Sequence, residues 1–253
     1  MNDMELQSVG NAAPGLSQWQ RVSNTFSAPS KTFEDIKRGN KSWWMPLIIL
    51  ALTGYIFFGV VDLKIGMQQV LDNQIHLNPK AQEQMAQATP EQREKGNKFW
   101  LGFTEAMFVG GPVVGLASFA VLSGVMLGTI NFVFGGKASY GSIFAVYYYA
   151  WLPQLIKMVL GIVVIFAGMA PESFNVKNFA PTNLGAFLDP VETNKALYTL
   201  ATSFDAVTIW TLVLLSIGIA TAAGVKRSLG YMAVFGWWAI YVLIITGVAA
   251  ITG

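Results

Sequence analysis

The chain contains no cysteine. That excludes disulfides, thiol nucleophiles and thiolate metal sites. A single histidine, His76, rules out an all-protein histidine cluster as well. Charge is scarce: acidic and basic residues make up 12% of the 253 positions, about half the share expected of a soluble domain. A net charge of +2 gives no electrostatic case for a nucleic-acid partner. No cofactor is expected, because no residue constellation calls for one. What the chain has instead is apolar: 53% of residues are hydrophobic, gathered in repeated runs near the ~20 residues that a bilayer core demands of a helix. A soluble helical core is the alternative for apolar runs, and their repeated length argues against it.

The expected fold is all-α, a polytopic membrane helix bundle with about five transmembrane helices and short interfacial helices. The expected spans are 44–61, 107–134, 142–169, 206–225 and 229–251, with outer loops at 62–106 and 170–205. Residues 1–16 read as a disordered tail and 17–43 as a cytoplasmic amphipathic segment. No cleavable signal peptide is evident, since the first apolar run begins near Trp44, after a polar tail. Within the amphipathic segment, Trp19, Val22 and Phe26 share one helical face. Thr32 and Asp35 have capping-box spacing for a second short turn, with Phe33 and Ile36 on its apolar side. Basic and aromatic residues just before a span suit a helix lying on anionic headgroups. A solvated linker is the plainer alternative.

The outer loops carry helix starts. Asn78-Pro79 and Thr89-Pro90 each pair a capping residue with proline at the first helical position, and Gln92 completes a capping box. Asp189, Pro190 and Glu192 repeat the pattern before a stretch with Leu197, Leu200 and Phe204 on one side. Glycines four apart, Gly111 with Gly115 and Gly124 with Gly128, are spaced for close helix approach in lipid. The short basic loops at Lys137 and at Lys226-Arg227 place the N-terminus in the cytoplasm and the C-terminus outside. The bilayer expected is then the plasma (inner) membrane.

The third span raises a chemical question. Its stretch "YYYAWLPQLIKMVLGIVVIF" carries Pro153, Gln154 and Lys157 among apolar residues. Residues 142–169 would make a helix about 42 Å long, against a hydrocarbon core of about 30 Å. Pro153 cannot donate to the carbonyl of Tyr149, so a kink is expected there, with Gln154 placed to reach the freed groups. Pro112, in "GGPVVG", is expected to kink the second span near its start. Lys157 needs a partner or a route to water. Glu105, Asp205 and Asp62, at the outer ends of other spans, are the candidates in that order. Glu105 ranks first because a tight turn makes the second and third spans antiparallel neighbours. Freed backbone carbonyls and a snorkelling lysine are the rival readings.

"RVSNTFSAPSKTFEDIKRGNKSWWMPLIIL" resembles the opening of bacterial Yip1-domain proteins, and "FGGKASYGSIFAVYYYAWLP" resembles their glycine-lysine, aromatic-glycine turn with a following Leu-Pro step. The matching positions are Gly136, Lys137, Tyr140, Gly141, Leu152 and Pro153. The resemblance covers residues 17–250 and implies a five-span membrane protein. It also implies a membrane-protein partner, with ABC exporter assemblies associated with some bacterial members. Eukaryotic members are associated with small Rab-type GTPases and carry an Asp-Leu-x-Gly-Pro motif. Here "FVGGP" keeps Gly111-Pro112 and lacks the acid and the leucine, which argues against small GTPase binding.

Three functions stay open on this reading. The first is a non-enzymatic scaffold or adaptor acting in membrane organisation or as an accessory of a transport assembly. The second is a small transporter or channel-like subunit with a polar site around Lys157; the absence of an inverted repeat speaks against it. The third, an intramembrane enzyme, lacks a nucleophile elbow or an acid pair on one helix face.

Overall fold

A computed structural model of the protein describes residues 15–252. Most of the expected disordered tail, residues 1–14, lies outside the described residues. Two short helices, α1 (Gln18–Ser27) and α2 (Pro29–Lys37), form a hairpin before α3 (Trp44–Lys64). Three helices follow, α4 (Met67–His76), α5 (Pro79–Gln87) and α6 (Pro90–Val109). The chain returns through α7 (Gly111–Gly128), prolonged by a π-helical turn at Thr129–Val133. The broken pair α8 (Tyr140–Ala150) and α9 (Gln154–Phe166) crosses next, and a long loop leads to α10 (Lys195–Ser203). The last crossings are α11 (Ala206–Ala223) and α12 (Arg227–Thr252). Among the described residues, five segments are long and apolar enough to cross a membrane: Trp44–Lys64, Gly111–Val133, Tyr140–Phe166, Ala206–Ala223 and Arg227–Thr252. The protein is an all-α, multi-pass membrane bundle. The hairpin α1–α2 marks the near side; α4 to α6 and the loop before α10 lie on the far side.

At the centre stands α8, buried at every residue from Ser142 to Ala150. Its three consecutive tyrosines, Tyr147 to Tyr149, point to three neighbours. Tyr147 donates to the Leu122 carbonyl of α7 at 3.5 Å. Tyr148 stacks on Trp43, with ring centroids 5.2 Å apart. Tyr149 donates to Gln18 of α1 at 3.0 Å. A second apolar cluster, on the far side, gathers Phe57 and Val61 of α3, Ile165 of α9 and Phe174 of the loop. Close helix contact is made where glycine lies at a crossing. A Cβ on Gly218 of α11 would meet Val146 at 2.5 Å, and one on Gly230 of α12 would meet the Ser216 carbonyl at 2.3 Å.

The N-terminal hairpin departs from the expected interfacial helix. Phe33 and Ile36 are fully buried in the bundle core, and Phe33 packs beside Gly218. Trp19 stays 66% exposed and Phe26 38%, so only the α1 end of the apolar face looks outward. Burying Phe33 rather than leaving it in water contributes about 2 kcal/mol, enough to hold the hairpin on the protein. The Thr32–Asp35 capping box does not form. Both side chains are buried and bond elsewhere: Thr32 donates across the hairpin to the Arg21 carbonyl at 2.8 Å, and Asp35 accepts from the Asn40 side chain just beyond α2 at 2.9 Å. The cap that does form is Ser17 with Gln20, at the start of α1.

Farther along, Asn78 and Thr89 cap α5 and α6 as their residue types require. Asp189 does not start a helix. It accepts from the amides of Val191 and Glu192, which hold its carboxyl below the usual range, and the chain then turns away. Asn194 supplies a second cap, and α10 begins at Lys195. The glycines four apart do not carry helix contacts: a Cβ on Gly111, Gly115, Gly124 or Gly128 would meet nothing within 4 Å.

Candidate functional site

Pro153 breaks the third crossing. Helix α8 ends at Ala150 and α9 begins at Gln154, joined by the turn Trp151–Pro153. The Tyr149 carbonyl, denied a donor by the proline ring, accepts from the Leu152 amide at 3.2 Å. The freed backbone is thus satisfied locally. Gln154, expected to reach it, instead crosses to α11 and donates to Thr211 Oγ1 at 3.0 Å. Thr211 passes the bond on to the Val207 carbonyl at 3.0 Å.

One turn beyond Gln154, Lys157 meets an acid. Its Nζ lies 3.2 Å from Asp205 Oδ2, with the lysine side chain 22% exposed and the aspartate 3%. Asp205 is the N-cap of α11 and accepts the Thr208 amide at 2.7 Å. The Thr182 hydroxyl, from the far-side loop, donates to its Oδ2. Burial alone would raise the Asp205 carboxyl; Thr182, the Thr208 amide and Lys157 outweigh it and hold the group below the usual carboxylate range. The depth follows from α11, whose 18 residues span only about 27 Å. Its capping acid therefore lies level with the first turn of α9, a helix that continues past it toward the far side.

Glu105 and Asp62 do not join this cluster. Both are exposed. Glu105 belongs to α6, which ends before the break at Gly110, so the residue precedes the second crossing rather than lying within it. Pro112 opens α7 at its first turn and lines an apolar groove of about 350 Å³ with Leu47, Gly54, Phe119 and Trp151. Helix α6 does not run on into the span, because Gly110 turns the chain between them.

The turn between α7 and α8 is built tightly. A Cβ on Gly136 would lie 2.8 Å from that of Ala223 at the end of α11. That closeness lets the Lys137 amide donate to the Ala223 carbonyl at 3.0 Å. Asn131 clips the loop by two bonds of 2.9 Å to the backbone of Ala138. Tyr140 donates to the Ala120 carbonyl at 2.9 Å, tying α8 to α7. Gly141 leaves room for the Lys41 side chain.

A second polar cluster escaped the sequence reading. Arg21 is fully buried beneath the hairpin, its guanidinium 5.1 Å from the Tyr149 ring centre and 3.7 Å from Asp35. It donates to the Asn40 carbonyl at 2.8 Å. The only signal available was a set of polar residues, Arg21 with Thr25 and Thr32 with Asp35, on faces that a surface helix would leave wet. Among the described residues no group of three or more metal-ligating side chains comes together. The Lys157 cluster can hold two elements in register and neutralise its own charge; it offers no nucleophile with an adjacent base.

A model of the Yip1 domain matches residues 23–250. No curated protein and no solved structure matches the chain. The matched region takes in most of the docked hairpin, the turn at Gly136 and Lys137, the Pro153 break, four whole crossings and all but the last two residues of the fifth, and the chain therefore belongs to the Yip1 domain family.

Proposed function

We propose that the protein is a non-enzymatic scaffold or adaptor of the plasma (inner) membrane, oriented with its N-terminus in the cytoplasm and its C-terminus outside. The observation that carries this reading is the docked hairpin. Arg21, Phe33 and Ile36, all fully buried, fix α1 and α2 against α8 and α11, so the near side presents a rigid protein face. The Lys157 cluster supports the same reading, because the lysine, the acid and Gln154 each find an internal partner. Polar groups satisfied in this way join helices. The partner is a membrane protein, an ABC exporter assembly being the class the family resemblance implies.

The test joins two measurements on the full-length chain. Crosslinking in native membranes should recover one reproducible partner with the wild type and lose it with Phe33→Ser. Proteoliposomes holding the chain should show no ion or solute flux above empty vesicles. Flux that disappears on Lys157→Met would replace the adaptor with a transporter or channel-like subunit.

A further inference from the structure

On the near side, where α2 ends, α8 begins and α11 ends, a crevice of about 620 Å³ opens to the surface. Three lysines line it, each from a different element: Lys37 from the end of α2, Lys41 from the link to α3, and Lys137 from the turn before α8. Their placement is fixed by backbone. The Lys37 Nζ lies 3.9 Å from the position a Cβ would take on Gly224, and the Lys41 stem crosses Gly141, with its Cδ 3.3 Å from the corresponding point. The Lys137 amide is held on Ala223. No carboxylate lines the crevice, and among the described residues none of the three ammonium groups has one within 4.0 Å. Glu34, one turn before Lys37, is exposed and outside the lining; Asp35 is engaged with Arg21 and Asn40. Ser139 and Ser142 add hydroxyls, 2.9 Å from each other, at the first turn of α8, where Ser139 caps the Ser142 amide and the helix dipole is positive.

Three cations gathered without a counter-ion repel one another unless an anion sits between them. The donor set, three ammonium groups with hydroxyls at the positive end of a helix, is one that suits phosphoryl oxygens. The turn before α8 and the end of α11 are ends of crossings, and the link carrying Lys41 leads into another, so the site lies at the depth of lipid headgroups. We propose that this crevice binds a phosphoryl group, carried by an anionic phospholipid headgroup or supplied as free phosphate. The site is independent of the adaptor reading and of which membrane face the near side occupies.

Native mass spectrometry of the full-length chain in detergent tests it, with phosphatidylglycerol, phosphatidylcholine and inorganic phosphate as separate probes. The near-side triple variant Lys37→Gln, Lys41→Gln, Lys137→Gln is compared with a far-side triple of equal charge change, Lys64→Gln, Lys80→Gln, Lys177→Gln. Phosphatidylglycerol binding should weaken at least about tenfold in the near-side variant alone, within what three lysines contribute near an anionic surface. Phosphatidylcholine binding should be equal in all three proteins. Competition by millimolar inorganic phosphate, or its binding as tight as the lipid's, would name free phosphate as the source; failure to compete would name the lipid. If the near-side triple does not fold, Lys137→Gln alone carries the comparison. Equal weakening in the two variants, or none in either, overturns the proposal.

Discussion

At the scale of single residues, the pairing of Lys157 with Asp205 shows what decides the partner of a charge inside a bundle. Chain proximity favoured Glu105, because α7 and the α8–α9 pair are joined by a short turn. Depth decided otherwise. Glu105 precedes the break at Gly110 and is exposed, whereas Asp205 caps the shortest crossing and is carried inward by it. A cue lay in the sequence, since Asp205 stands three residues before Thr208 at the start of a crossing, the spacing of an N-cap. Removing one partner of a buried pair leaves an uncompensated charge, which costs about 3 kcal/mol. Lys157→Met and Asp205→Asn should each destabilise the protein in detergent, and the double variant should show a coupling above about 1 kcal/mol. Glu105→Gln should change stability by less than about 0.5 kcal/mol, as exposed substitutions do. The pH dependence has a fixed sign. The Asp205 carboxyl is held low in the folded protein, so its contribution is fully present above the ordinary carboxylate range and is lost as pH falls through the lowered value. Thermal unfolding below about pH 4 should therefore be less pH-sensitive in Asp205→Asn than in the wild type. Additive effects of the two substitutions would deny the pair any energetic role.

Elements were legible in kind and less so in placement. Helices announce themselves by period, by caps at Asn78 and Thr89, and by prolines at first turns. The Pro153 break was legible for the same reason, since a ring that cannot donate must interrupt the ladder. The seat of α1–α2 was not. An amphipathic face records that an apolar medium exists and says nothing of whether that medium is lipid or protein. The difference lay in Phe33, which fills space opened by Gly218 on a crossing far along the chain. Glycine pairs misled in the opposite direction, because spacing alone cannot tell a contact face from a face turned to open space. Docking makes a measurable claim. Phe33→Ser removes the largest apolar side chain between hairpin and bundle, so local opening of α1–α2 should become more frequent while the crossings stay folded. Limited proteolysis near Ala28 should accelerate by about tenfold or more for a loss of about 2 kcal/mol, with far-ultraviolet helicity nearly unchanged. Equal cleavage rates in variant and wild type would show that the hairpin is held by something else.

At the scale of the whole molecule, the crossings among the described residues number five, so the two ends of the bundle lie on opposite faces and the orientation is a single binary choice. The hairpin, the turn at Lys137 and the turn at Lys226-Arg227 all share the near side. Orientation follows basic residues in short loops near span ends, and long loops count for little. Both short loops are basic and near-side, which supports the proposed cytoplasmic placement of that side. The far side carries the long segments, where charges such as Glu91 with Lys95 and Glu94 with Lys98 neutralise one another along α6. The absence of native cysteine makes the choice easy to read, because each introduced thiol is the only one present. Ser139→Cys, at the exposed near-side turn, should be shielded from an impermeant thiol reagent in intact cells and should react once the inner membrane is opened. Gln87→Cys, exposed at the end of α5, should react in intact cells after permeabilisation of any outer membrane. Ser228→Cys, exposed at the start of α12, should follow Ser139→Cys, since both lie on one face of an odd-numbered bundle. The reverse pattern would turn the molecule over and place hairpin and basic crevice outside. Unlike labelling of positions 139 and 228 would break the five-crossing topology itself.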